Sequence, residues 1–391
     1  MTIPSRDELL RAIREDELEL WYQPKVSFVT GRVCGAEALV RWRREDDRVV
    51  SPAEFLPQAE EYGLITEVAK ALFPLLCLDH QKLTDAFGHF EVAFNLSARD
   101  LESPELVDLV LRAVHTGLVQ PEQIQVELTE TAVAADDERL RRGLEDLVAA
   151  GVALAMDDFG TGYSSLDALH RLPFSVVKID QGVVQGLRTS GRCAAIVLAS
   201  IRMAHEMGMK VIAEGVESEE IFDYLLHAGC TEAQGFWISE PLPLPEFIDF
   251  VAQGRRWCRL PVGLIRHTEL DHLQWRKELM DQVFGSRRAG IAAADERLEI
   301  SPYRCRFGEW YYGPGRDFSE LPAFAALEEP HLEVHGLGLK LLRASRLGLP
   351  EETLRDLAER LNACSDRFLR LLQDLEIEAL LEECRQDAHR A

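Results

Sequence analysis

Short apolar runs, each finishing in a polar or ionisable residue, recur along roughly the first 250 residues of this chain. Leu20-Trp21-Tyr22 gives way to Gln23, Val33-Cys34-Gly35-Ala36 to Glu37, Val92-Ala93-Phe94 to Asn95, and Ile124-Gln125-Val126 to Glu127. Val152-Ala153-Leu154-Ala155-Met156 ends in the pair Asp157-Asp158, Val176-Val177 leads to Lys178-Ile179-Asp180, Lys210-Val211-Ile212-Ala213 to Glu214, and Ala233 to Gln234. Runs of this length read as buried strands. Between most of them, segments such as 104–116, 136–150, 192–207 and 219–228 carry apolar residues at three- and four-residue spacing and predict helices. Strands alternating with helices imply parallel pairing, and eight such units predict a (β/α)8 barrel whose strand ends converge on a single pocket. A doubly wound open sheet is the competing arrangement, but it gathers ligands at one switch point rather than at nearly every strand.

After Gln253-Gly254-Arg255-Arg256 the alternation stops. A helix is predicted over 264–284, carrying His272 and Trp275, and Pro330 opens a segment that sets His331 and His335 one turn apart on a helix face. Leu354, Leu357, Leu361, Cys364, Phe368, Leu371 and Leu375 alternate three- and four-residue steps, the seam of a helix packed lengthwise on its neighbours. Cys364 is therefore read as packing. Two domains follow: an α/β barrel over 1–255 and an all-α domain over 262–391.

With 67 acidic against 43 basic residues the formal charge is −24, which disfavours nucleic acid or an anionic membrane surface as a general partner. No apolar run approaches the roughly 20 residues of a membrane span, and the start of the chain has no basic segment leading into an apolar core. A cytoplasmic protein is expected. The 8 cysteines show no C-x-x-C spacing, so no disulfide framework is expected.

Composition leaves the strand ends as the candidate chemistry. Asp157 and Asp158 alone are ambiguous, because two adjacent carboxylates ask for a cation while Asp158 is also a reasonable cap for the next helix. Glu37, Glu127 and Glu214 are poor caps, and a set of carboxylates with the amide of Asn95 suits hard divalent ions such as Mg or Mn. Five carboxylates exceed the needs of one ion. Two metals are expected, with Asp157 placed to bridge them.

The segments Tyr22-Gln23-Pro24, Glu37-Ala38-Leu39-Val40-Arg41-Trp42, Phe94-Asn95-Leu96-Ser97, Glu127-Leu128-Thr129-Glu130, Asp157 through Gly162, Val177-Lys178-Ile179-Asp180, Ala213-Glu214-Gly215-Val216-Glu217 and Gln234-Gly235-Phe236 occur in order. Together they resemble the EAL-domain phosphodiesterases of bacterial cyclic-di-GMP signalling. The resemblance implies a modified TIM barrel that hydrolyses one phosphodiester of cyclic-di-GMP to linear pGpG. It implies that Glu37, Asn95, Glu127 and Asp157 hold one Mg or Mn, and that Asp157, Asp158 and Glu214 serve the second. Lys178 would orient the attacking water, take its proton or act through charge alone. Gln23, Arg41, Asp180 and Gln234 correspond to substrate-contacting positions, Glu130 and Glu217 to supporting ones. Glu240 stands where the family pattern leads one to expect a basic residue, a departure that bears on substrate affinity.

In the C-terminal region His272-Leu273-Gln274-Trp275, then Cys305 through Tyr312, then His331-Leu332-Glu333-Val334-His335 resemble the chemoreceptor zinc-binding (CZB) domain. That resemblance implies a four-helix bundle that usually dimerises, with one zinc held by His272, Cys305, His331 and His335, a good tetrahedral donor set. The stretch 275–305 is slightly long for the pattern, with extra loop expected over 285–295. The two halves together imply a homodimeric phosphodiesterase whose activity responds to zinc, with oxidation of the Cys305 thiolate a possible route to zinc release.

Overall fold

The computed structural model describes residues 4–130, 132, 137–160, 165–257, 262–285 and 301–388. Thr161 and Gly162 of the expected loop after the aspartate pair, and most of the expected extra loop over 285–295, lie outside the described residues. The chain forms two compact units, Met1–Trp257 and Cys258–Ala391.

In the first unit, strands β1 (Leu18–Ser27), β2 (Val33–Arg43), β4 (Glu91–Asn95), β5 (Ile124–Thr129), β6 (Ala153–Phe159), β7 (Val176–Ile179), β8 (Lys210–Ala213) and β9 (Glu232–Gln234) close into a barrel. Two short strands lie outside it: β3 (Val49–Val50) on β2 and β10 (Leu242–Pro243) on β1. Pairing is parallel from β2 through β4 to β9, but β1 is antiparallel to both β2 and β9. The expectation of eight parallel strand–helix units is corrected here. Only a short turn with Gly31 at φ 65° separates β1 from β2, and a parallel pair requires a crossover of a dozen or more residues.

Helices pack outside this wall and begin as their sequences dictate. Ser5 with Glu8 and Ser97 with Asp100 form reciprocal capping boxes, and Pro52 and Pro104 occupy first-turn positions where no N–H is needed. The period of two along each strand sends alternate residues inward. Lys210, Ile212 and Glu214 of β8 and its extension show the resulting layers: charge at the closed end, an apolar cluster of Ala155, Val176 and Ile212, and charge again at the mouth.

The second unit is helical. Helices Val262–Met280, Glu328–Arg346 and Glu351–Ala388 are long, while Arg306–Tyr312 and Pro322–Ala326 are short; the first runs on into a π-helical turn, Asp281–Gly285. Leu279, Val283, Val334, Leu337, Leu341, Leu354 and Leu361 share one core. The seam of the last helix differs from the expected one at two steps: Ala358 and Leu372 are buried, while Leu357 and Leu371 are only half-buried. Gly338 allows close approach, since a Cβ there would come within 2.6 Å of the Trp275 ring. Among the described residues, no helix is long and apolar enough to cross a membrane.

Candidate active site and metal centres

At the barrel mouth the expected residues converge on one buried ammonium. Lys178 Nζ lies 2.6 Å from Glu214, 3.5 Å from Glu37 and 3.5 Å from Asp157, and donates to Glu127. Lys178 and Glu127 are fully buried. Burial alone would depress the lysine, but Glu127, Glu214, Glu37 and Asp157 outweigh it and hold the ammonium protonated well above its ordinary range. One cation does not suffice for four carboxylates. Burial pushes Glu214 up to about 8 and also raises Glu127.

Glu37 departs from that trend. Burial pushes it up, but Lys178, Asn95 and Gln234 more than compensate and lower its pKa. Asn95 Nδ2 donates to Glu37 Oε1 at 2.6 Å, and Gln234 Nε2 to Glu37 Oε2 at 2.7 Å and to Gln23 Oε1 at 2.9 Å. Gln23 and Glu37 are cross-strand partners inside the β1–β2 hairpin rather than residues at strand ends. Their apolar runs end where the inward positions turn polar, while the strands continue.

The aspartate pair depends on a local irregularity. The β6–β7 register slips between Met156 and Phe159, and Asp158 has φ 57°, a left-handed conformation uncommon for a side-chain-bearing residue. Its N–H donates to Asp157 Oδ1 at 2.9 Å. In a regular strand these neighbours would face opposite sides. With the bulge, Asp158 is raised first by burial and then by Asp157 and Asp180, with Lys178 opposing, so it belongs to the electrostatics of the same site. The buried Glu130 ties β5 to β6 through its N–H on Asp157 O at 3.1 Å.

The mouth holds a cavity of about 190 Å³ lined by Gln23, Glu37, Leu39, Asp157, Gln181, Glu214, Gly215, Glu217, Gln234, Gly235 and Phe236. A second cavity of about 770 Å³ lies on the other side of β2, between the outward-facing Ala38, Val40 and Phe94 and residues 52–72, and Asn95 lines that one. Leu39 lines both cavities, and Asn95 in the larger one donates to Glu37 in the smaller. Arg41, Asp180 and Asp158 line neither. Arg41 stacks over Trp21 at 5.4 Å and donates to Val40 O at 2.9 Å, and Asp180 caps a short helix by accepting from the N–H groups of Gly182 and Val183. Glu217 accepts from Gln185 at 2.7 Å on the exposed rim. Leu39, Gln181 and Phe236 also line the mouth; Leu39 and Phe236 stand in the motif segments without an assigned role, and a Phe directly after Gln234-Gly235 was the available signal.

A donor set of carboxylates and amides fits hard divalent ions. Glu127 Oε1, fully buried, has no hydrogen-bond partner among the described residues, which leaves a carboxylate oxygen for a cation.

In the helical unit Cys305, His331 and His335 bring their donor atoms within 4.8 Å of one another, with Cys305 Sγ 3.2 Å from His331 Nε2. Zinc ligands at about 2.0–2.3 Å from a tetrahedral ion stand about 3.3–3.8 Å apart, so this cluster needs little adjustment. Cys305 is also the N-cap of Arg306–Tyr312, its sulfur accepting from Gly308 N–H at 3.3 Å. Phe307 and Phe368 pack against His331, and Trp275 against His335. Burial lowers His331 to about 3 and His272 to about 4, which keeps both rings neutral, the form that binds metal. His272 lies outside the cluster of three: its Nε2 is hydrogen-bonded to Ser365 and its ring packs on Phe368. Cys364 also stands apart, against Pro330 O and Glu333.

Comparison with known proteins places both regions. The family model for the EAL domain matches residues 6–241, and that for the chemoreceptor zinc-binding domain residues 272–342. The bifunctional diguanylate cyclase/cyclic di-GMP phosphodiesterase MucR of Pseudomonas aeruginosa is 37% identical over 247 residues, covering 63% of this chain and 36% of that protein. The cyclic di-GMP phosphodiesterase RocR of the same organism is 34% identical over 248 residues, covering 63% of each. Among solved structures, the PaMucR phosphodiesterase–c-di-GMP complex is similar at TM-score 0.58 and 36% identity, covering 62% of this chain and 98% of that one. The chain thus spans between about a third and two thirds of the length of these curated relatives.

Proposed function

The chain belongs to the EAL domain family, and on that premise we propose that it hydrolyses cyclic-di-GMP to linear pGpG with two divalent metals, Mg or Mn, under control of a zinc-binding helical domain. The observation that carries this reading is the convergence of Glu37, Glu127, Asp157 and Glu214 on Lys178 beneath a mouth that Gln23 and Gln234 line.

Glu37, Asn95, Glu127, Asp157, Asp158 and Glu214 would hold the two ions. When bound, such ions offset phosphate charge and acidify water. In the reaction a water oxygen bonds to phosphorus, the bond to the ribose 3′-oxygen breaks, and that oxygen leaves with a proton. The side chains do the positioning. Gln234 and Asn95 fix both oxygens of Glu37, and the register slip at Asp157-Asp158 would let two adjacent carboxylates serve the same pair of ions. Lys178, with its Nζ among Glu37, Glu127, Asp157 and Glu214, would orient the attacking water, take its proton or act through charge alone. Arg41, pre-oriented on Trp21, offers a guanidinium fork to a phosphate oxygen. Asp180 would serve as a substrate-contacting residue and Glu217, on the rim, as a supporting one.

Cys305, His331 and His335, with His272 beside them, would hold one zinc. We read its occupancy as biasing the geometry of a homodimer, and with it turnover, in a cytoplasmic setting. Incubation with cyclic-di-GMP and Mg or Mn, followed by chromatography, tests the reaction. pGpG is the expected product; tight binding without turnover would make the protein an effector instead.

A further inference from the structure

The mouth cavity has one wall suited to neither charge nor metal. Phe236 lines it with 63% of its surface exposed, although burial of a phenyl ring is among the larger contributions one side chain makes to folding. Its successors turn inward: Trp237 packs on Phe222 with ring centroids 4.9 Å apart, and Ile238 is buried.

The backbone clamps the ring in this outward position. A Cβ on Gly235 would come within 2.2 Å of Val216 backbone atoms, so only glycine permits the approach. Val216 N–H donates to Gln234 O, Trp237 N–H to Val216 O and Ile238 N–H to Gly235 O, each at 3.0 Å. The ring is therefore presented on a rigid support next to the carboxylates of Glu37, Asp157 and Glu214. A flat, uncharged group can use such a face, and a dinucleotide whose phosphate enters the cavity carries one, its base, to the rim.

We propose that Phe236 is a substrate-binding residue that stacks on the purine flanking the scissile phosphate. The inference rests on the phosphodiesterase reading above. Stacking of a base on an aromatic side chain is sequence-tolerant and orienting, so it acts on substrate binding rather than on the bond-breaking step.

Steady-state hydrolysis of cyclic-di-GMP by the full chain with Mn present, in the parent, Phe236→Ala and Phe236→Trp, tests it. Phe236→Ala should raise KM about ten-fold with kcat held within about two-fold, and Phe236→Trp should restore KM. The exposed position predicts unchanged melting temperatures. A parent that turns over beside a Phe236→Ala variant of unchanged KM overturns the stacking and leaves the phosphodiesterase reading intact. A fall in kcat at constant KM overturns it equally, because the ring would then act on the chemical step. A parent that neither binds nor hydrolyses cyclic-di-GMP removes the reading and this inference together.

Discussion

The barrel buries charge at both ends, and the two ends are balanced differently. At the closed end Lys25, fully buried, lies 3.2 Å from Glu91, and Lys210 lies 3.2 Å from Glu91 and 3.7 Å from Glu232. Gln125 accepts from Lys25 at 3.2 Å and donates to Glu91 at 3.3 Å. Two cations meet two anions. Despite burial, Lys25 and Lys210 hold Glu91 down at about 2. At the mouth a single ammonium faces four carboxylates, and Glu214 is pushed up to about 8. Each end holds one carboxylate that is raised, Glu232 at the closed end and Glu214 at the mouth, so it is the count of charges, two against two and one against four, that separates a structural brace from a place suited to further cations.

Asp157→Asn should have the largest effect at the mouth. Hydrolysis should fall by roughly a thousand-fold or more, since the residue is shared between both proposed ion sites. Zinc content measured by elemental analysis should not change. Loss of zinc together with activity would end the separation of the two metal centres.

Lys25→Met should do the reverse. It leaves Glu91 and Glu232 facing a buried site with one cation fewer, at a cost of about 3–5 kcal/mol in urea unfolding. A variant as stable as the parent would show that the closed end is no brace.

Acid sharpens the same point. Glu91 titrates at about 2 when folded, below its ordinary value of 4.5, so its contribution is present above the unfolded value and fades as pH falls from 4.5 towards 2. Between about pH 6 and pH 3 the parent should lose roughly 2 kcal/mol more than Glu91→Gln. Equal acid sensitivity in urea titrations would contradict the ion network.

The smallest expected effect joins the barrel's activity to the helical domain. His331→Ala should lower bound zinc from about one per chain to background. Zinc chelation should change turnover by a few-fold in the parent, the ordinary size of coupling between sites, and not in the variant. Identical rates throughout would remove zinc control of the barrel.

Much of this was legible along the chain because inward positions in a barrel recur with a period of two. A polar residue that ends an apolar run stands out for that reason, as Glu127 and Glu214 do. Gln23 and Glu37 were found by the same signal although they lie within strands. Lys25 and Gln125 passed unnoticed because they sit inside runs that look apolar on average. The antiparallel β1 was missed because strand direction depends on the length of a connection rather than on the composition of a strand. His331 and His335 were legible from helical periodicity, whereas the turn of His272 towards Ser365 depends on a residue 93 positions away.

The sequence by itself determined which polar residues interrupt the apolar pattern, the class of barrel and the presence of a second, helical domain, because hydrophobic period and residue type are local properties. Only the tertiary structure decided how charge is distributed among those residues. The bulge that re-aims Asp158, the placement of Lys178 amid four carboxylates, the clamped exposure of Phe236 and the balanced brace around Lys25 all arise from contacts between strands far apart in the chain. Long-range packing sets local dielectric and distance, and these turn a list of acids and bases into a site.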